Sequence, residues 1–97
     1  MFSARLINRG DTNMLNICDS DLLGKDIKNE KHLMHISKNF YGERLVDEDE
    51  AIGLLKNTNS INMVGRNIVS LSVKEGIGVQ SGVKEIDGIP FLIVLKM

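Results

Sequence analysis

The stretch Ser60–Ile77, SINMVGRNIVSLSVKEGI, decides the fold. Read at helical spacing, Ile61, Val64, Ile68, Val69 and Leu71 share one face with Gly65 and Ser72 in its middle, while Arg66, Asn67, Ser70 and Lys74 lie opposite. The pattern predicts an amphipathic helix capped by Asn59 or Ser60. Gly76 stops it, and Ile77 folds back on Leu71 in a Schellman closure. A glycine inside a helix costs about 1 kcal/mol relative to alanine. Gly65 on the buried face, with Ser72 on the same face, therefore implies a close approach to a sheet, expected at the strand carrying Phe91–Leu95.

Before this helix, Phe2–Asn8 alternates as a half-buried strand does, and Met14–Cys18 resumes the apolar content after the polar cluster Arg9–Asn13. Together they read as an opening β-hairpin. Asp19 or Ser20 caps a short helical turn through Leu23 that Gly24 ends. Asp26–Lys31 reads as a charged turn and His32–Ser37 as a third strand. Lys38–Leu45 is irregular. Asp47 opens a second helix signal, with Glu50 completing an acidic capping box and Val46 and Ala51 placed as a hydrophobic staple. Ala51, Leu54 and Leu55 form its buried stripe, and Asn57–Asn59 end it. The chain closes on a hairpin, VKEI and PFLIVLKM, turned at Asp87–Gly88. Pro90 is expected at the first residue of its last strand, and the run Phe91–Leu95 at a central, doubly buried position. The expectation is one α+β domain over residues 1–97, with a mainly antiparallel or mixed sheet of four to five strands in the order β-β-β-α-α-β-β, packed against two helices.

Composition agrees with a single small core. Ninety-seven residues, 42% apolar and 26% charged, suit one domain and exclude a disordered chain. No apolar run reaches the ~18 residues of a membrane span, and MFSARLINRG lacks a secretory pattern, which points to the cytoplasm and to no membrane partner. The net charge of −1 lacks the basic excess of a general nucleic-acid binder, so no DNA partner is expected. RNA contact would rest on a few placed residues.

Candidate chemistry is sparse. Cys18 is the only cysteine, beside the acidic Asp19 and Asp21, and reads as a buried hydrophobe rather than a nucleophile. Gly24-Lys25 lacks the preceding glycines and following hydroxyl of a phosphate-binding loop. His32 and His35, three apart, fall on opposite faces of a strand and have no third ligand, so no metal is expected and no cofactor motif is present. Phe40 and Tyr41, bracketed by Lys38 and Arg44, offer rings and cations to a base or a phosphate. Alternatively, Phe40 closes the end of the sheet while Gly42 turns the chain. Lys25, Phe40, Tyr41 and Arg44 are accordingly the candidate binding residues.

Four blocks, DSDLLGK at Asp19–Lys25, FYGERLVDEDEAIGLL at Phe40–Leu55, NMVGRNIVSLSVKEGI at Asn62–Ile77 and IDGIPFLIVL at Ile86–Leu95, carry a resemblance in this order and spacing. The chain resembles a small archaeal family known as domain of unknown function 424. Leu22, Gly24, Lys25, Phe40, Tyr41, Gly42, Asn62, Gly65, Gly88 and Pro90 match that family's typical positions. In it a polar residue, often histidine, is expected directly after the proline. This chain has Phe91, which puts a catalytic role there in doubt. The resemblance implies a setting near the archaeal translation machinery, with ribosome, RNA or translation factors as partners, and no reaction. The first expectation is thus a non-catalytic RNA- or protein-binding module. A small enzyme or ligand-binding protein with a pocket near Cys18, Lys25 and Tyr41 is the alternative. A third possibility is self-association: if FLIVLKM lies at a sheet edge it could pair with its copy, so the chain is expected as a monomer or weak homodimer.

Overall fold

In the computed structural model the opening hairpin forms as expected, from strand β1 (Phe2–Arg9) and strand β2 (Thr12–Asp19) turned at Gly10. The structure describes residues 1–31 and 33–96. His32, which begins the expected strand His32–Ser37, and Met97, which ends FLIVLKM, lie outside the described residues. A short 3-10 turn, Ser20–Leu22, follows, and Gly24 takes the positive φ of 86° that ends it. The segment expected as a charged turn contains strand β3 (Asp26–Lys28), paired with strand β4 (Leu33–His35) in a separate two-stranded ribbon. Its charges alternate around Ile27, which is buried, so a strand that covers the sheet satisfies them.

Lys38–Tyr41, expected to be irregular, is a one-turn helix, α1, with the Ser37 hydroxyl accepting the Phe40 N–H at 3.1 Å. Strand β5 (Arg44–Val46) leads into helix α2 (Glu48–Asn57). The capping signal reads correctly here: the Asp47 carboxylate accepts the Glu50 N–H at 2.8 Å, and Val46 and Ala51 are both fully buried in one cluster. The Thr58 hydroxyl closes the helix by donating to the Leu54 carbonyl at 2.5 Å.

The deciding stretch divides at Gly65, which corrects the single helix expected from Ser60 onward. Ser60–Val64 is strand β6, and helix α3 spans Arg66–Lys74. Ile61 and Val64 satisfy both a period of 3.6 and a place in a buried strand, so spacing alone does not separate them. Gly65 does separate them, since its φ of 122° and ψ of 150° belong to no helix. The end of α3 follows the expected Schellman geometry, with Ile77 N–H donating to the Ser72 carbonyl at 2.9 Å and Gly76 N–H to that of Val73 at 3.1 Å. After a second 3-10 turn, Gln80–Gly82, strand β7 (Lys84–Ile86) and strand β8 (Ile89–Leu95) close the chain. Asp87 and Gly88 both have positive φ, 52° and 76°, as the tight hairpin turn requires.

The architecture is α+β, but the described residues hold a six-stranded mixed sheet in the order β5-β1-β2-β6-β8-β7, the ribbon β3-β4 and three helices. Four to five strands and two helices were expected; three-residue strands such as β5 and β7 carry too little pattern to be read. β2 and β6 are parallel neighbours, so everything from Ser20 to Asn59 is a crossover between them. Helices α2 and α3 cover one face over Phe2, Ala4, Leu15, Ile17, Ile61, Met63 and Leu92. A second, smaller cluster lies on the other face, where Ile27, Ile36 and Tyr41 cover Cys18 and Val64. β8 lies next to the edge strand, and Ile93 and Leu95 are each 68% exposed, which corrects the doubly buried position expected for Phe91–Leu95. Its second face is left bare because the α1/ribbon cover stops short of it.

Candidate binding face

Strand alternation and register place side chains of the second sheet face in three cross-strand rows. Ser3, Cys18, Val64 and Phe91 form the first, Arg5, Asn16, Asn62 and Ile93 the second, and Ile7, Met14, Ser60 and Leu95 the third. The first row is roofed by α1 and β3-β4. Ser3 Oγ donates to the Tyr41 carbonyl at 2.9 Å, and the Arg5 guanidinium donates to the Asn39 carbonyl, so both ends of α1 are tied to β1. The third row is open.

Phe40 sits at the margin of that roof. It is 44% exposed and packs edge-to-face on Tyr41 with ring centroids 5.0 Å apart. On one side of it lies a depression of about 280 Å³ lined by Ile7, Arg9, Thr12 and Met14. On the other lies one of about 230 Å³ whose walls include Met34, Tyr41, Asn62, Phe91 and Ile93. Beneath them Asn62 Nδ2 donates to Asn16 Oδ1 at 2.8 Å, and the buried Asn16 Nδ2 has no partner among the described residues.

The four residues expected to bind do not share one location. Phe40 alone is an exposed member of the open face. Tyr41 is 2% exposed, and burial first, then the neighbouring Cys18, pushes its hydroxyl up to about 12. Lys25 is exposed at the ribbon, its backbone tied to Leu22 and Ile36. Arg44 pairs with Ala4, so its side chain has the parity of Val46, toward the helix layer. Arg5, Met14, Asn16, Asn62 and Ile93 were missed. The signal available was an asparagine embedded in each of two apolar strands, LNI and INM, which register then sets side by side.

Cys18 is fully buried beside Tyr41, and burial, reinforced by Asp19 and Asp21, pushes its thiol up to about 12. Its thiolate is therefore scarce at neutral pH. An aromatic disulfide reagent is expected to label the native chain at least a hundredfold more slowly than the urea-unfolded chain. Equal rates would show an accessible thiol.

Asp19 marks a different kind of site. It ends β2 beside Gly65 at the end of β6, and its carboxylate accepts the α3 N–H groups of Asn67 at 2.9 Å and Ile68 at 2.8 Å. A glycine between a strand and a helix N-terminus is the kind of place where a phosphate binds. Here the chain's own carboxylate occupies it. Burial raises the Asp19 pKa despite those two N–H bonds. Elsewhere, His35 pairs with Asp26 at 2.5 Å on the exposed ribbon. No helix among the described residues is long and apolar enough to cross a membrane.

The fold is similar to that in a crystal structure of an uncharacterized conserved protein from Methanopyrus kandleri, with a TM-score of 0.78 and 26% sequence identity over 99% of this chain and 93% of that one. No curated protein matches the chain in sequence. The family model described as protein of unknown function, DUF424, matches residues 7–97, and the chain belongs to that family.

Proposed function

We propose that this chain is a non-catalytic binding module of the archaeal translation apparatus that docks a protein partner on the open sheet face around Phe40. The observation that carries the reading is the pair of depressions flanking an exposed Phe40, lined mainly by Ile7, Met14, Met34, Phe91 and Ile93. Such a surface takes apolar side chains from a partner, with Phe40 as the aromatic anchor. Among the described residues Arg9 is the one charged residue lining either depression, which favours protein over an RNA strand, whose backbone asks for several cations. Cys18 and Tyr41, the groups of the alternative enzyme pocket, are sealed and protonated at neutral pH, and the Lys25 of that reading is exposed at the ribbon. The translation setting rests on the family resemblance.

The test is co-sedimentation with ribosomes from an archaeal extract, combined with a benzophenone amino acid placed at position 40. Crosslinking to a protein is expected, and Phe40→Glu should weaken association at least tenfold, about 1.4 kcal/mol, while leaving the melting midpoint unchanged. Crosslinks to RNA alone would replace the reading with RNA binding. Absence of co-sedimentation would remove the translation setting.

A further inference from the structure

We infer that the depression between Phe40 and β8 receives a tryptophan side chain of the protein partner, with the indole N–H donating to Asn62 Oδ1. The inference rests on the Phe40 face being a protein-docking surface, and names the chemistry of what enters it. Met34, Phe40, Val64, Phe91 and Ile93 give the depression apolar walls, and its volume of about 230 Å³ admits one bicyclic ring. Among the described residues no charged side chain lines it. A charged group entering it would therefore lose hydration without compensation.

One hydrogen-bonding group of this depression is held in a fixed direction. Asn62 of β6 lies between Asn16 of β2 and Ile93 of β8 in the same cross-strand row. Its Nδ2 donates to Asn16 Oδ1 at 2.8 Å, which turns the Nδ2 side of the carboxamide toward β2 and the Oδ1 side toward β8. No described residue donates to that Oδ1. Asn16 supplies the hold at a cost, since it is fully buried and its own Nδ2 has no partner among the described residues. Two aliphatic side chains would fill these positions without stranding a buried donor. The pair is accounted for by the direction it gives Asn62 rather than by stability.

An acceptor in an apolar, uncharged depression selects a large apolar side chain that carries a donor. Leucine or phenylalanine would fill the space but bury Asn62 Oδ1 unpaired, which costs more than the bond contributes. A carboxylate brings no donor, and an ammonium or guanidinium finds no counter-charge among the described lining residues. A tyrosine ring is smaller, and its hydroxyl brings an acceptor besides the donor. Indole brings one N–H, no competing acceptor, and an aromatic surface that packs on Phe40 and Phe91. Tryptophan is also among the residues that most often anchor a protein interface.

The chain contains no tryptophan, so the emission of an added indole reports on the probe alone. N-acetyltryptophanamide is titrated into the purified chain, with N-acetyl-3-benzothienylalaninamide as control, in which sulfur replaces the N–H in a ring of the same shape. Nitrogen–proton NMR signals of Asn62 and Ile93 follow both probes, and a blue shift of the indole emission reports burial. The tryptophan probe is expected to move those signals and to bind about tenfold more tightly than the control. Asn16→Leu combined with Asn62→Leu should abolish the preference while keeping the melting midpoint within ~4 °C or raising it. Should that variant fail to fold, the comparison of the two probes on the wild type decides alone. Equal affinities, no binding of the tryptophan probe, signals that move only away from Asn62, or tighter binding of adenosine each overturn the inference. A protein crosslink at position 40 with equal probe affinities would overturn it and leave the docking surface standing. A probe preference without any protein crosslink would remove the docking partner and leave indole recognition in place.

Discussion

Gly65→Ala is expected to destabilise the domain by about 2 to 6 kcal/mol, although it adds a single methyl group. Two costs combine. The backbone φ of 122° is one that L side chains rarely adopt, at about 1 to 3 kcal/mol. The new Cβ would also lie 2.6 and 2.8 Å from the Asp19 carboxylate oxygens, and closer still to its carboxyl carbon. Relieving that overlap costs about 1 to 3 kcal/mol more. In a domain of this size each kcal/mol lowers the melting midpoint by about 4 to 8 °C, so a fall of more than ~8 °C is expected in thermal unfolding. A shift under ~4 °C would mean that Gly65 is not locked against Asp19.

The second large effect is Asp19→Ala, expected to cost about 2 to 4 kcal/mol because it strands the N–H groups of Asn67 and Ile68 at a partly buried helix start. The two positions touch, so their effects should not add. With the carboxylate gone the new methyl group at position 65 has room, and the double variant should fall short of the summed losses by about 1 kcal/mol or more. Additivity in denaturant titrations would contradict direct contact. The pH dependence has a defined sign. Asp19 has a raised pKa in the folded state, so between the ordinary value of 3.8 and that raised value the folded chain holds more protons than the unfolded one. Its contribution is greatest below 3.8 and declines as pH rises through the folded pKa. The wild type's advantage over Asp19→Ala should narrow across that window. A widening advantage would show that the helix N–H bonds outweigh burial.

Elements whose signals are local were legible from the residues. The Asp47 cap with its staple, the Gly76 closure, the Asp87–Gly88 turn and the opening hairpin each depend on neighbours within a few positions. The start of α3 did not read correctly because its cap is Asp19, forty-eight residues from Asn67 in the chain. Without that carboxylate in view, Gly65 resembles a small residue in a helix interior. The close approach expected between these small residues and Phe91–Leu95 takes another form, because a Cβ at Gly65 would meet Asp19 of β2. Gly65 N–H bonds to Pro90 of β8, and Ser72 is fully buried where an added Cβ on Gly78 would meet its hydroxyl and Leu92.

The candidate face divides in the same way. Phe40 was identifiable as an aromatic in a charged, irregular segment. Its surroundings were not, because Ile7, Met14, Asn62 and Ile93 belong to four strands and meet only through register.

The sequence by itself determined the class of fold, the helix and turn boundaries set by short-range hydrogen bonds, and the family. Tertiary structure alone decided that Ser60–Val64 is a strand, that Asp19 fills the α3 N-terminus, and that the described residues leave part of one sheet face uncovered. The physical reason is common to all three. An apolar pentapeptide suits a helix face or a sheet interior equally well, and only parallel pairing with β2 puts its backbone groups, and the carboxylate at its end, in place.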